Sequence, residues 1–525
     1  MKFIQGHDRT QTHLFPVSID QYIDADNMVR LIDLFVDSLP LDEYGFRTDF
    51  IDNGRPAYHP SVMLKLYIYG YLHKIRSSRD LEKECKRNIE MMWLIQCLQP
   101  DHNTISNFRR DNPKAIKKVF RSTVQIAKHF DLIGGKLIAG DSTKLRAQNS
   151  KKNNFNQKKI DRHIAYIDNK LKEYNQQLAE ADQDNAGQIK KEIEKQNQHK
   201  DNYNQLEKQL KESGDVQIST SDPESRQMIT RNNITEVAYN VQSSVDDKHC
   251  LPIDYKVTNT NDSKAMGNML RRAKSILHTY DFTALYDKGY HTGSEFKTAD
   301  DLNIEVMVAI PTVAAQAPNP CYNVEHFTYD STNDCYVCPQ NQTLKTTGKL
   351  HKAKTYDFKR YTTKACITCP VKDQCSTAKY GKAIQRSEYQ HYINNNKRRI
   401  EQNQEYYRRR QAIVEHPYGT IKRQWGFSYI LTRKGIDRAS SDVGFMFTAY
   451  NLRRLINIIG FERLMEHCRA VLSTFLSNVS YFRAICCFLF YSFGKSLRKM
   501  SIAISQNLSN FKPNLSLNRN LVSGF

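Results

Sequence analysis

The chain has 525 residues, with 77 Lys and Arg against 56 Asp and Glu, a formal net charge of +21. That length is enough for several domains, so a shortage of core is excluded as a constraint. The charge favours a polyanionic partner, nucleic acid first and an anionic membrane surface second, because each neutralised phosphate releases a counterion.

Met1–Gln5 runs straight into polar residues, so no secretory signal is expected. Residues 1–130 read as mostly helical. Asp24-Ala-Asp-Asn opens a run with Met28, Leu31, Ile32, Leu34 and Phe35 on one face. A turn from Gly54 to Pro60 leads into a helix over Ser61–Leu72, with Pro60 and Ser61 as start signals. Further helices are expected at about Ser78–Lys86 and Asn103–Asp111. The last carries the pair Arg109-Arg110, and a short helix of that kind suits a helix-turn-helix-like contact with DNA. An ordinary packing helix with a basic face explains it equally well.

After the Gly134-Gly135 turn, Leu137-Ile-Ala reads as a short strand ending at Asp141. Residues 157–213 are polar, yet Ile160, Ile164, Ile167, Leu171, Tyr174 and Leu178 recur at helical spacing. The pattern breaks near Asp182–Gly187 and resumes at Ile189, which predicts an inserted antiparallel helical hairpin. A β-hairpin spans Glu236–Thr260 around Asp246-Asp-Lys-His, and a helix covers Ser263–His278. The strand Phe282–Tyr286 ends at Asp287, and another strand follows from Ile304. A Cys-bearing insertion occupies 312–385, and a long basic helix leads through Tyr406–Glu415. The apolar run Val471–Phe493 contains Arg483 and polar breaks, so it reads as a buried helix and not as a membrane span.

Three acids in this pattern suggest chemistry. Two-metal phosphoryl transfer needs carboxylates converging from different elements, and hard oxygen ligands suit Mg²⁺ or Mn²⁺. Asp141 and Asp287 each end an apolar strand. Glu415 sits on a helix dense in arginine and followed by Lys422. Singly, each is more often a turn, cap or surface ion-pair residue.

The combination resembles the DDE transposases of bacterial insertion sequences, in the branch with a Tyr-Arg-Glu-Lys helix signature and a Cys-bearing insertion. Four stretches carry the resemblance: Gly54-Arg-Pro-Ala-Tyr-His-Pro through Asp101-His-Asn-Thr-Ile-Ser-Asn-Phe-Arg, Gly140-Asp-Ser-Thr-Lys-Leu, Tyr286-Asp-Lys-Gly-Tyr-His-Thr-Gly, and Tyr407 through Glu415-His-Pro-Tyr-Gly-Thr-Ile-Lys. It implies an α/β fold with an RNase H-like catalytic core over 131–460, behind an N-terminal helical DNA-binding domain at 1–130. Residues 461–525 are left unassigned. It further implies Asp141, Asp287 and Glu415 as the catalytic, metal-binding triad for two Mg²⁺ or Mn²⁺ ions. Tyr407, Arg410 and Lys422 fall on the signature's DNA-contacting positions. A homodimer on element-end and target DNA, in a bacterial cytoplasm near the nucleoid, is implied with them. Gln411 stands where a basic residue is common, and Pro417 should disturb the helix just past Glu415.

Cys335-Tyr-Val-Cys338 and Cys366-Ile-Thr-Cys369, with Cys375 beyond, have the spacing of a structural zinc site using four of the five thiols. A small β-rich zinc lobe is expected there, and reduced buried thiols are the bland alternative. The sequence reading is therefore a metal-dependent DNA transposase. Its rivals are a catalytically inactive sequence-specific DNA-binding protein, a plain metal-dependent nuclease and a zinc-ribbon RNA-binding protein.

Overall fold

Asn27 opens the first helix, α1 (Met28–Asp37), its side chain accepting from the Val29 amide as an N-cap. Leu31, Ile32, Phe35 and Val36 turn one face inward. Pro60 starts α2 (Pro60–Leu72), which is buried almost all round and so shows little amphipathic pattern. α3 (Ser78–Arg87), α4 (Ile89–Leu94), α5 (His102–Asp111) and α6 (Pro113–His129) follow. The computed structural model describes residues 18–49, 56–180, 183–230, 233–312, 317–432, 434–474 and 477. The expected turn at Gly54 begins outside these residues, and most of Val471–Phe493 also lies outside them.

A mixed α/β arrangement follows. β1 (Leu137–Arg146) runs into the short β2 (Asn154–Asn156). Helices α7 (Gln157–Glu180) and α8 (Gln183–Ser213) then pack on each other, and β3 (Gln217–Ser219) pairs back onto β2. Phe155, Ile160 and Leu210 form a small core where the two helices meet this ladder. Next come β4 (Arg226–Ile229), β5 (Thr235–Asp246), β6 (Pro252–Thr258), α9 (Met266–Leu277), β7 (Thr283–Tyr286), α10 (Gly293–Asp301) and β8 (Glu305–Val308).

The main sheet has the order β6–β5–β1–β7–β8, with β4 also on the outer edge of β5. β5 is antiparallel to β1, β4 and β6, whereas β1, β7 and β8 are mutually parallel. A second, five-stranded antiparallel sheet is made of β9 (Thr328–Asp330), β10 (Cys335–Val337), β11 (Thr343–Lys352), β12 (Asp357–Thr362) and β13 (Ile384–Ser387), with the short α11 (Lys372–Cys375) before its last strand. Phe327, Tyr336, Leu344, Tyr361 and Ile384 form its own core.

The chain returns through α12 (Gln390–Gln402), α13 (Gln404–Tyr418), a π-helical turn at Gly419–Gln424 and α14 (Ile436–Ile459). Residues 461–474 are helical, and Leu464, Met465 and Cys468 join the main core.

Strand alternation divides the apolar residues between two faces of the main sheet. Ile138, Ala284, Val306 and Val308 join a large core shared with α1, α2, α6 and α14. Leu137, Ala139, Val245, Leu285 and Met307 face the other way, against Ile413 and Val414 of α13.

Two expectations need correction. β1 does not end at Asp141 but continues to Arg146, because antiparallel pairing with β5 holds it beyond the point where β7 stops. The single long basic helix is two helices, broken at Asn403, and the second carries Pro417 inside its last turn.

Candidate active site where β1 passes the end of β7

Ala139 is the last β1 residue paired with β7, and its partner is Leu285. Asp141 and Asp287 each stand two residues beyond that pair. The period of two therefore sends both carboxylates toward the α13 face. Tyr286, just before Asp287, lays its ring over Gly140, just before Asp141. Asp287 caps the turn that follows, accepting from the Gly289 amide at 2.8 Å. Asp141 accepts from the Ser142 amide at 2.8 Å, and its side chain is 24% exposed.

Burial pushes the Asp141 carboxyl up to about 6. Arg410 and the Ser142 amide pull against this, while the negative charges of Asp287 and Asp262 add to it. The Arg410 guanidinium stands 3.6 Å from the Asp141 carboxylate, and its Nη1 is buried with no hydrogen-bond partner.

Asp262 is the acid that sequence reasoning missed. It follows β6 in Asn261-Asp262-Ser263, which reads only as a turn and cap. It accepts from Asn240 and Gln242, each at 2.7 Å, and pairs with Lys144 at 3.1 Å. Burial would raise its carboxyl, but Lys144 and these donors hold it below the usual range. Lys144 has the opposite strand parity to Asp141, so Asp262 borders the acid pair from the other face of β1.

The signature helix is placed less simply. Tyr407 donates to the Tyr286 carbonyl at 2.8 Å, which fastens α13 to the end of β7. Lys422 donates to Thr143 Oγ1 at 2.8 Å, one pleat along β1 from Asp141. Tyr418 shares a 2.7 Å hydrogen bond with Ser243, the residue opposite Asp141. Glu415 is exposed, and its carboxylate accepts from Gln411 at 2.9 Å. With Ile413 and Val414 turned into the core, Glu415 falls on the outer side of the helix. The structure thus brings two of the three expected acids together, and the third stands apart. Among the described residues, no three His, Cys, Asp or Glu side chains stand close enough to hold a metal ion.

The histidines near the acids serve packing: His291 lies against Phe296, and His416 bonds Tyr450. Trp425 is 5% exposed and packs beside Phe427, so it is a core residue and not a base-stacking platform.

In the second sheet, Cys338, Cys366, Cys369 and Cys375 line one cavity of about 30 Å³. Burial raises the Cys375 thiol; Lys382 pulls it down, and the other three sulfurs raise it further. Cys335 is buried on β10 and does not line the cavity. Gly381, at φ +86°, abuts the Cys366 side chain, where any added Cβ would collide at 2.2 Å. The thiols match a soft metal in kind and number, but they do not form a metal-holding group as arranged, so the zinc expectation gains no structural support.

Residues 17–111 match a family model described as a transposase domain (DUF772), and residues 337–456 match one described as a transposase DDE domain. The chain resembles the DDE transposases of insertion sequences. The DDE match covers β11, β12 and β13 of the second sheet, α13 and Glu415, whereas Asp141 and Asp287 lie between the two matched stretches. No curated protein and no solved structure matches the chain.

Within the first transposase match, the paired arginines part company. Arg109 is 4% exposed and donates to Tyr71 Oη and the Arg76 carbonyl, 3.7 Å from Asp442. Its position one helical turn past buried Ile105 turns it inward, so it does not present its side chain to a DNA groove as expected. Arg110 is exposed and paired with Asp111. No helix of the described residues is long and apolar enough to cross a membrane.

Proposed function

We propose that the chain is a DNA transposase whose sheet is an RNase H-like core and whose chemistry centres on Asp141 and Asp287. The observation that carries this reading is the pair of carboxylates, each two residues past the same β1–β7 pair, under the helix of the DDE match. The sheet order supports it, because three antiparallel strands followed by two parallel ones set Asp141, midway along β1, beside Asp287 at the end of β7.

Two carboxylates repelling each other in a partly buried site are suited to a divalent cation of hard character, Mg²⁺ or Mn²⁺. Such ions supply activation of the attacking oxygen and stabilisation of the leaving oxygen in phosphoryl transfer. The chain's own residues do the positioning. Asp141 and Asp287 fix the point at which a scissile phosphate sits. Arg410, the counter-charge of Asp141 in this structure, would meet that phosphate when the two acids hold the ion. Lys422 marks the strand path along β1. Glu415 joins the acids only when α13 turns. Pro417, which has no amide to donate to the Ile413 carbonyl, and the π-helical turn behind it give the helix a place to do so. A homodimer that brings two element ends together belongs to the same proposal.

The outward Glu415 favours one rival, a DNA-binding protein without catalysis. Strand cleavage and joining on element-end DNA with Mg²⁺ or Mn²⁺ separates the two. Cleavage followed by joining supports the transposase, cleavage without joining points to a nuclease, and binding alone points to the inactive protein.

A further inference from the structure

Beyond Ala139, β1 keeps its antiparallel partner β5 but has left β7 behind. Among the described residues, no strand pairs with Asp141–Lys144 on that edge. These four residues are half-buried, whereas Leu137–Gly140 before them are buried. Alternate side chains along the strand go to opposite faces. Asp141 lies on the α13 face with Arg410, and Ser142 and Lys144 lie on the other. There the Lys144 ammonium donates to Ser142 Oγ and to Asp262 Oδ2, each at 3.1 Å. Asn240 and Gln242 hold Asp262 Oδ1, and Tyr290 donates to the Gln242 side-chain oxygen behind them.

This ion pair abuts the turn that Asp287 caps. Asp262 Oδ2 stands 3.5 Å, and Asp287 Oδ1 3.0 Å, from the point where a Cβ at Gly289 would lie. Lys144 therefore brings a fixed positive charge to the open edge of β1 from the face opposite Asp141. Its side chain is 27% exposed, so the ammonium is within reach of a molecule lying along that edge. An ammonium has three protons to donate, and these two contacts take two of them. The third is left for an acceptor from outside.

We infer that Lys144 is a further catalytic residue of the proposed strand cleavage, donating to a non-bridging oxygen of the scissile phosphate, and that Asp262 is the positioning residue that acts through it. The inference rests on the proposed transposase reading and adds two residues to its site. In the hydrolysis, a water oxygen bonds to phosphorus and the bond from phosphorus to O3′ breaks. The bonding pair leaves on O3′, which takes a proton from solvent, while the attacking water gives one up to solvent. Charge redistributes over the non-bridging oxygens between these events, and a donor already fixed in place stabilises it without reorganising. Lys144 keeps its protons throughout, and Asp262 touches no reacting atom.

The test uses the full chain, an element-end duplex and Mg²⁺. Cleavage rate at saturating DNA, duplex affinity and Tm are followed for Lys144→Met, Lys144→Arg, Asp262→Asn and the double variant Lys144→Met/Asp262→Asn. Lys136→Met, at an exposed lysine just before β1, controls for charge. Calorimetry follows Mn²⁺ binding to each protein without DNA. Lys144→Met should lower the cleavage rate by at least about a hundredfold and keep affinity, and Lys144→Arg should recover about tenfold of that loss. Asp262→Asn should cost at least about tenfold alone and nothing further in the Lys144→Met background, where it has no ammonium to position. Mn²⁺ binding should be kept throughout. Near-normal cleavage by Lys144→Met overturns the inference, as do equal losses in Lys144→Met and Lys136→Met. Additive losses in the double variant overturn the role of Asp262, and loss of the Mn²⁺ titration in Asp262→Asn overturns it by making that residue an ion ligand. If Asp262→Asn lowers Tm, Lys144→Met against Lys144→Arg still decides, because neither removes the Asp262 contacts with Asn240 and Gln242. If wild type itself does not cleave, the transposase reading fails, a result distinct from all of these.

Discussion

The Tyr286 ring occupies the space a Cβ at Gly140 would need, with Cε1 only 2.0 Å from that point. This contact locks the residue before Asp287 against the residue before Asp141, so the spacing of the two acids depends on a missing side chain. Gly140→Ala should push the ring aside, costing roughly 1–3 kcal/mol as an overpacked core does. Cleavage activity should fall by at least about tenfold while DNA affinity is kept. Thermal unfolding and a cleavage assay check this, and Gly140→Ala/Tyr286→Leu should recover part of the stability.

The Asp141 carboxyl, raised to about 6, makes the metal-free protein sensitive to pH. The folded state favours the protonated form, so that stability is full below the ordinary carboxylate range. It is lost as pH rises through about 6, on the order of 3 kcal/mol in all. A divalent cation binds the ionised form and should restore it. Mn²⁺ should therefore raise Tm at pH 8 and leave it nearly unchanged at pH 5. Asp141→Asn should abolish both the cation effect and this part of the pH dependence.

Glu415 tests whether the outward helix face matters. If α13 turns during catalysis, Glu415→Gln should lower cleavage by at least about a hundredfold without changing Tm by more than a degree or so, since the exposed carboxylate contributes little to folding. A Gln411→Ala variant removes the group that holds Glu415 outward and should leave cleavage intact or raise it.

Asp442, fully buried on α14, accepts from Tyr71 Oη, from Arg76 at 2.9 Å and from the Leu431 amide at 2.6 Å. This network fastens the N-terminal helices to α14. Asp442→Ala leaves Arg76 and Arg109 buried without their counter-charge and should cost about 3–5 kcal/mol. Denaturant unfolding measures the loss, and limited proteolysis should show the N-terminal helices released first.

Much of this architecture is legible in the sequence because local signals agree with it. Asn27, Pro60 and Ser77 begin helices where caps and a first-turn proline belong. The seam from Ile160 to Leu178 and the Asp246–His249 turn also read directly. α14 is not legible in this way. It is buried from Ala439 to Leu455 on nearly every side, so no amphipathic period announces it. The length of β1 was hidden because Asp141–Lys144 is polar, and a strand half covered by a helix need not look apolar. Asp262 was missed because its role arises from Asn240, Gln242 and Lys144, which are contributed by two other strands. Glu415 was read from its place in the arginine-rich helix and from the resemblance to the signature. Both give a helix position, but the face toward the sheet is decided by Ile413 and Val414.

The most direct measurement is Mg²⁺-dependent cleavage and joining of element-end DNA by wild type, Asp141→Asn and Asp287→Asn, with DNA affinity followed in parallel. The account predicts that each substitution lowers both steps by several orders of magnitude and leaves affinity within about threefold. Near-normal cleavage by either variant would contradict it, because the point where β1 passes the end of β7 would then not be where the phosphate is cut.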